Sequence, residues 1–165
     1  EDQKQAVKFT EKLAEVYRYI LQYKDKELVD LRTELEFIES YLFLLKIRYP
    51  ENLKIEYDIS KEAYHNHVAP LTLQILIENA IKHNVISKSD PLVVKIYTDK
   101  SGSLVVENKL QLKTIVQNST KTGLENIKQR YQYLSDRSVE IMNNKELFMV
   151  SVPLLDVEYQ KDFAS

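Results

Sequence analysis

The chain of 165 residues contains two glycines, four prolines and no cysteine, and this composition excludes several classes of site. Gly102 and Gly123 alone cannot form a dinucleotide-binding fingerprint or a P-loop. Without cysteine there is no disulfide framework, thiolate nucleophile or cysteine zinc site. With 23 basic and 25 acidic side chains the formal net charge is -2, which does not indicate binding to nucleic acid or to an anionic membrane surface. Because a helical pattern is already under way at Glu1, we expect the chain to be part of a longer protein.

The first 49 residues lack proline and glycine, and their apolar pattern predicts two long helices. Apolar or small residues recur at alternating intervals of three and four from Ala6 to Tyr23, and again from Leu28 to Tyr49. Pro50 ends the second helix, because its ring removes a donor and disfavours helix at the preceding residue. This heptad-type spacing leaves two interpretations open, a helical hairpin packed on its own domain or a paired-helix element for dimerisation.

Residues 50–155 show the order strand, helix, two strands, helix, two strands. The strand-like segments are 53–59, 92–98, 104–107, 139–142 and 147–152, and the helices are 70–84 and 124–134. Pro70 is expected in the first turn of its helix, where the missing N–H costs nothing. Residues 109–122 form a long polar connection, and residues 156–165 form a polar tail. Strands joined directly as hairpins indicate a largely antiparallel sheet with helices on one face, which is an α+β sandwich.

The helix at 70–84 is apolar around most of its circumference, but it carries a polar stripe of Glu78, Asn79, Lys82 and His83. At about 100° per residue these four side chains fall within an arc of about 140°. Polar groups on a buried helix cost free energy unless they have partners. A carboxylate beside an amide suits hydrated Mg²⁺, and a lysine one turn later suits phosphate. The alternative interpretation is a solvent-facing edge with an ion pair between Glu78 and Lys82.

Three segments of the sequence are similar to bacterial sensor histidine kinases of the LytS/YehU type. Residues 70–84 resemble the N box of these kinases in the form Leu-Gln-x-Leu-x-Glu-Asn-Ala-Ile-Lys-His. Residues 12–49 resemble their helical segment, and residues 123–131 resemble their second glycine box. The resemblance implies the ATP-binding fold shared by histidine kinases, gyrase, a heat-shock chaperone and mismatch-repair proteins. That fold is a two-layer α/β sandwich with ATP under a mobile lid, here preceded by the two long helices of residues 1–49.

The resemblance also implies a role for each position of the polar stripe. Asn79 would coordinate Mg²⁺ between phosphate oxygens, and Glu78 would hold metal-bound water or polarise nearby groups, so these two are the expected catalytic residues. Lys82 and His83 would reach phosphates or the ribose. Phosphoryl transfer needs mostly positioning and charge neutralisation, so this short set of groups is chemically sufficient.

Further nucleotide contacts are implied outside the stripe. Asn108 stands where the family has the aspartate that binds the adenine amine. The second glycine box contributes Gly123, Leu124 and Asn126 at the amino end of the last helix, where free backbone N–H groups receive phosphate. Residues 109–122 would be the lid over ATP, so that residues 50–155 make up the ATP-binding domain.

The implied activity is that of an ATP-dependent protein-histidine kinase. The γ-phosphoryl group of ATP would pass to a histidine outside this chain and then to a response regulator. The family's phosphoacceptor motif, Asn-Pro-His-Phe-Leu-Phe-Asn, has no counterpart in these 165 residues. The implied setting is the cytoplasmic part of a homodimeric inner-membrane sensor, whose only membrane attachment lies upstream.

Departures from the family pattern support an alternative function. Asn108 lacks the charge of the expected aspartate, and the expected glycines are replaced by Leu110, Leu112 and Lys121. Without those glycines the backbone approaches a nucleotide less freely. The alternative is a non-catalytic dimerisation or signal-relay module that keeps the fold and has little or no ATP binding. An ATPase of the gyrase or chaperone type is disfavoured, because Ile75 stands where those enzymes place a general-base glutamate.

Overall fold

The computed structural model describes residues 2–113 and 122–157 of the chain. The described part contains four α-helices: α1 (Asp2–Tyr23), α2 (Leu31–Arg48), α3 (Thr72–His83) and α4 (Thr122–Leu134). It also contains seven strands: β1 (Val29–Asp30), β2 (Leu53–Asp58), β3 (His67–Val68), β4 (Leu92–Thr98), β5 (Ser103–Lys109), β6 (Glu140–Asn143) and β7 (Leu147–Pro153). A short 3₁₀ helix, Glu62–His65, lies between β2 and β3.

The two amino-terminal helices pack against each other and confirm the two helices expected from the apolar spacing. The ring of Tyr19 in α1 stacks on the ring of Phe37 in α2, with centroids 4.1 Å apart. Asp30 begins α2 as an N-cap, and its carboxylate accepts the backbone N–H of Thr33 at 2.9 Å. The helix ends at Arg48, shortly before the proline that disfavours its continuation.

Five strands form the main sheet in the order β2-β4-β5-β7-β6. The pairs β4–β5 and β6–β7 are antiparallel, as expected from their direct connections. The pair β5–β7 is antiparallel as well, although α4 and β6 lie between these two strands in the chain. The pair β2–β4 is parallel, because the chain between these strands crosses over through α3. The five expected strands are therefore confirmed. Strands β1 and β3, which pair with each other, were not expected, because two residues are too few to show an alternating pattern.

One hydrophobic core joins the helical segment to the sheet. It includes Leu42 of α2, Ile77 of α3 and Ile96 of β4, all of them buried. Fully burying such a side chain stabilises the fold by about 1.5–3 kcal/mol. The α+β sandwich with two preceding helices is confirmed. Within the described ranges, none of the helices has the length and apolar character needed to cross a membrane.

The amino end of α3 differs from the expectation that Pro70 lies in its first turn. The helix begins at Thr72, and the residue before it, Leu71, is left-handed with φ 67°. No side chain of the local sequence caps this end. Instead the carboxylate of Glu34, from α2, accepts the backbone N–H groups of Leu71 at 3.2 Å and Leu73 at 3.0 Å. The expected position of Pro70 is wrong because this external carboxylate fixes a turn between the proline and the helix.

Candidate functional site

A cleft of about 650 Å³ lies between α3, the amino end of α4 and the hairpin of β6 and β7. This volume is within the range of about 300–1,000 Å³ that small-molecule sites occupy. The lining residues are Ile75, Glu78, Asn79, Lys82, His83, Asn84, Leu110, Leu112, Thr122, Gly123, Leu124, Glu125, Lys128, Ile141, Asn143 and Phe148. Apolar and polar side chains are therefore combined in one concave site.

All four members of the polar stripe of α3 line this cleft. Glu78 and Lys82 are exposed, whereas Asn79 and His83 are half-buried. Among the described residues, Glu78 and Lys82 do not form the ion pair of the alternative interpretation. Glu78 instead accepts hydrogen bonds at Oε1 from Tyr41 Oη at 2.8 Å and from Gln74 Nε2 at 2.9 Å. The ammonium of Lys82 therefore remains available to an anion in the cleft.

The imidazole of His83 is biased towards its neutral form. Burial lowers its pKa below the usual 6.5, and the positive charges of Lys82 and Lys113 lower it further. A phosphate beside His83 would oppose this bias, because an anion favours the protonated ring.

The amino end of α4 lines the cleft through Thr122, Gly123 and Leu124. The first backbone N–H groups of an α-helix have no partner inside the helix, so this end can receive an anion. Gly123 also permits close packing of α4 on α3, since a Cβ there would lie 3.0 Å from Cγ2 of Ile75. Lys121, which stands in for an expected glycine, is outside the described residues.

Asn84 contributes to this site in a way that the sequence did not indicate. It is 1% exposed, its Nδ2 donates to the carbonyl of Ala80 at 2.8 Å, and its Oδ1 accepts the backbone N–H of Gln111 at 2.7 Å. The backbone N–H of Val85 also donates to the carbonyl of Gln111. These bonds hold the start of the expected lid against the end of α3, while residues 114–121 of that lid lie outside the described part. The signal available in the sequence was a polar residue at the end of the expected helix 70–84, whereas α3 itself ends at His83.

Two residues that were expected to contact the nucleotide, Asn108 and Asn126, do not line the cleft. Asn108 is 3% exposed, and its Nδ2 donates to the carbonyl of Lys109 at 2.9 Å. It is paired in β5 with Phe148 of β7, so both side chains project from the same face of the sheet, but only Phe148 lines the cleft. Asn126 is an exposed residue of α4 outside the lining.

Comparisons with known proteins agree with this fold. The family model for histidine kinases matches residues 1–53. Sensor protein LytS of Staphylococcus saprophyticus is 30% identical over 97% of this chain, and the chain spans 30% of that protein. Sensor protein kinase HptS of Staphylococcus aureus is 34% identical over 52% of this chain and 16% of that protein. The chain thus spans less than a third of the length of these curated relatives.

Among solved structures, the catalytic domain of histidine kinase ThkA in a nucleotide-free form has a TM-score of 0.52 to this chain. The two are 15% identical, and the match covers 78% of this chain and 97% of that domain. At this identity the likeness shows the fold. Together with the sequence relatives, it identifies the chain as a homologue of LytS-type sensor histidine kinases, with which it shares a segment that has the histidine-kinase catalytic fold.

Proposed function

We propose that the chain is the ATP-binding catalytic part of a two-component sensor histidine kinase. The observation that supports this most is the composition of the cleft. The polar stripe of α3 faces the same space as the amino end of α4, so a carboxylate, an amide, a lysine and the amino end of a helix converge there. Ile141 and Phe148 provide an apolar part of the lining that suits a purine ring.

The charge distribution of the cleft also suits a nucleotide with phosphates. Lys82 and Lys128 line it beside the carboxylates of Glu78 and Glu125, and the amino end of α4 adds partial positive charge. In this proposal Lys82, His83, Gly123 and Leu124 bind phosphates or ribose. Asn108 and Asn126 remain predictions from the family pattern, to be tested separately.

The donor set fits Mg²⁺ held mainly by the nucleotide. Within residues 2–113 and 122–157 no group of three or more His, Asp and Glu side chains could hold a metal ion. Mg²⁺ does not need such a group, since it keeps several waters and binds through one or two protein oxygens plus phosphates. Asn79 Oδ1 would hold it here, and the carboxylate of Glu78 would hold a water bound to it. When bound, Mg²⁺ neutralises charge on the transferring phosphoryl group.

The chain's own residues would orient the γ-phosphoryl group and exclude water, while the accepting histidine and the response regulator come from outside this chain. The relatives are named as sensor proteins. From the family resemblance of the sequence we also propose a cytoplasmic placement in a homodimeric, membrane-anchored protein. These features of the whole protein form part of the proposal.

Calorimetric titration of the chain with ATP in millimolar Mg²⁺ tests the proposal. We expect saturable binding that Asn79→Ala abolishes, because the substitution removes the amide ligand of the metal. Asn66→Ala is the matched control, since Asn66 is a half-buried asparagine outside the cleft. If the folded wild-type chain releases no heat with millimolar ATP and Mg²⁺, the proposal is wrong.

The second candidate is a signal-relay module that has lost efficient nucleotide use. The observation that favours it is that Asn108 is buried and does not line the cleft, whereas Leu110 and Leu112 line it where the family has glycines. A ligand that binds only the folded state must raise its melting temperature. An unchanged melting temperature in saturating Mg²⁺ and ATP would favour the relay module, and robust phosphorylation of a longer chain that includes the acceptor histidine would eliminate it.

A further inference from the structure

A hydrogen bond connects the helical segment directly to the cleft. Tyr41, in the middle of α2, donates from Oη to Oε1 of Glu78 at 2.8 Å. Gln74, one turn before Glu78 in α3, donates from Nε2 to the same oxygen at 2.9 Å. Within residues 2–113 and 122–157, Oε2 of Glu78 accepts no hydrogen bond from the protein. The two donors therefore fix the carboxylate by one oxygen and leave the other for a ligand.

Tyr41 is itself held by aromatic packing within the helical segment. Its ring is half-buried and lies against Phe37, with centroids 6.3 Å apart, and Phe37 stacks in turn on Tyr19 of α1. Burial and the nearby carboxylate of Glu78 raise the pKa of Tyr41, so its hydroxyl stays protonated and donates at neutral pH. The position of this donor thus depends on how α1 and α2 pack.

Packing explains the ring of Tyr41 but not its hydroxyl group. A phenylalanine would fill the same space against Phe37, whereas only the hydroxyl reaches Glu78. Hydrogen-bond partners that orient a metal ligand are known to matter, since removing one typically costs about 10–100-fold in metal affinity or activity. The bond from Tyr41 has a related form in the proposed function, because it orients the carboxylate of Glu78, which would hold a water bound to the metal that Asn79 coordinates.

We propose that Tyr41 is a positioning residue, whose hydroxyl orients the Glu78 carboxylate for Mg²⁺ and nucleotide and so makes their binding depend on the placement of α2. This inference rests on the proposed function, because it assigns Glu78 to the metal end of the cleft. It adds a residue of the helical segment to a site otherwise formed by the sandwich.

The test compares ATP affinity with and without Mg²⁺ in Tyr41→Phe and in the wild-type chain. We expect the substitution to weaken Mg²⁺-dependent binding about tenfold and to change binding without Mg²⁺ less than twofold. A purely structural role would weaken both equally. Tyr97→Phe is the matched control, since Tyr97 also donates to a carboxylate, that of Glu107 at 3.1 Å, but lies outside the cleft.

A double-mutant cycle with Glu78→Gln shows whether Tyr41 acts through Glu78. In the Glu78→Gln background, adding Tyr41→Phe should change Mg²⁺-dependent affinity less than twofold, whereas a second tenfold loss would overturn the proposal.

Gln74→Met removes the other donor and serves as a second variant if Tyr41→Phe melts early. An undiminished Mg²⁺ dependence of ATP binding in both variants also overturns the proposal. If the wild-type chain binds no ATP, the proposed function fails and this inference fails with it. If the wild type binds and Tyr41→Phe binds equally well, only this inference fails.

Discussion

Glu34 is a carboxylate with no exposed surface, at the meeting point of α1, α2 and α3. Tyr19 donates its hydroxyl to Oε2, and the backbone N–H groups of Leu71 and Leu73 also donate to the carboxylate. Burial raises the pKa of Glu34 above its usual 4.5, although these donors and the charge of Arg130 act in the opposite direction. The folded chain therefore holds the Glu34 proton more tightly than the unfolded chain does.

This difference predicts a pH dependence of stability. The contribution of Glu34 is fully present below pH 4.5 and is lost as the pH rises through its raised folded-state pKa. We expect a decrease of up to about 1.4 kcal/mol per pH unit from this group. Urea unfolding between pH 4.5 and 8 should show that Glu34→Gln removes this decrease. Glu36→Gln, at an exposed position of the same helix, should retain it, and equal pH profiles for the wild type and Glu34→Gln would contradict the assignment.

Local sequence determines the placement of some residues of the site, and the packing of distant elements determines that of others. Glu78 and His83 were predicted to share a surface because helical periodicity alone places them there. The bonds of Tyr41 to Glu78 and of Asn84 to Gln111 join residues 37 and 27 positions apart. Such contacts depend on how elements pack, so no spacing in the sequence indicated them.

At the level of segments, the connection after β5 is attached to α3 by one buried side chain together with backbone hydrogen bonds. Asn84 bonds the carbonyl of Ala80 with its amide and accepts the N–H of Gln111 with its oxygen. An isolated bridge between Asn84 and Leu112 continues this pairing. The position of Leu110 and Leu112 in the cleft follows from this attachment.

Asn84→Ala should therefore loosen the attachment of the connection to α3, leaving only its backbone hydrogen bonds. Leaving the part-buried N–H of Gln111 without a partner costs up to about 1–3 kcal/mol, and we expect this amide to exchange its hydrogen about 5- to 150-fold faster. Hydrogen exchange followed by NMR measures this directly. Asn84→Asp is the comparison, because it keeps an acceptor for Gln111 while it replaces the donor to Ala80 by a carboxylate oxygen. Equal protection of Gln111 in the wild type and Asn84→Ala would show that other bonds hold the segment.

Helices and strands with a clear apolar periodicity were predicted correctly. The beginning of α3 was not, because periodicity does not indicate where a helix starts. Leu71 adopts a left-handed conformation that costs a leucine about 1–2 kcal/mol, and no local pattern indicates such a residue. It is tolerated because neighbouring elements hold the turn on both sides. Tyr131 of α4 accepts the N–H of Ala69 at 3.0 Å, Arg130 donates to the carbonyl of Pro70 at 3.2 Å, and Glu34 holds Leu71.

For the molecule as a whole, the helical segment of residues 1–49 and the domain of residues 50–155 share one hydrophobic core. Buried residues of α1 and α2 belong to the same cluster as those of α3 and the sheet. The carboxylate that caps α3 and the hydroxyl that reaches Glu78 both come from α2. The helical segment therefore stabilises the sandwich as well as extending from it, and the boundary between residues 1–49 and 50–155 remains a prediction about function.

A fragment that begins at Pro50 should therefore melt well below the full chain. It loses the cap from Glu34 and exposes the surfaces that Phe37 and Ile38 cover, a loss of at least about 3 kcal/mol. At about 4 °C per kcal/mol, the melting temperature should fall by more than about 10 °C. Circular dichroism during heating measures this, with a chain that begins at Ala6 as the control for shortening itself. A fragment that melts within about 3 °C of the full chain would mean that the sandwich is stable alone and that α2 acts on the cleft only through bonds such as that of Tyr41.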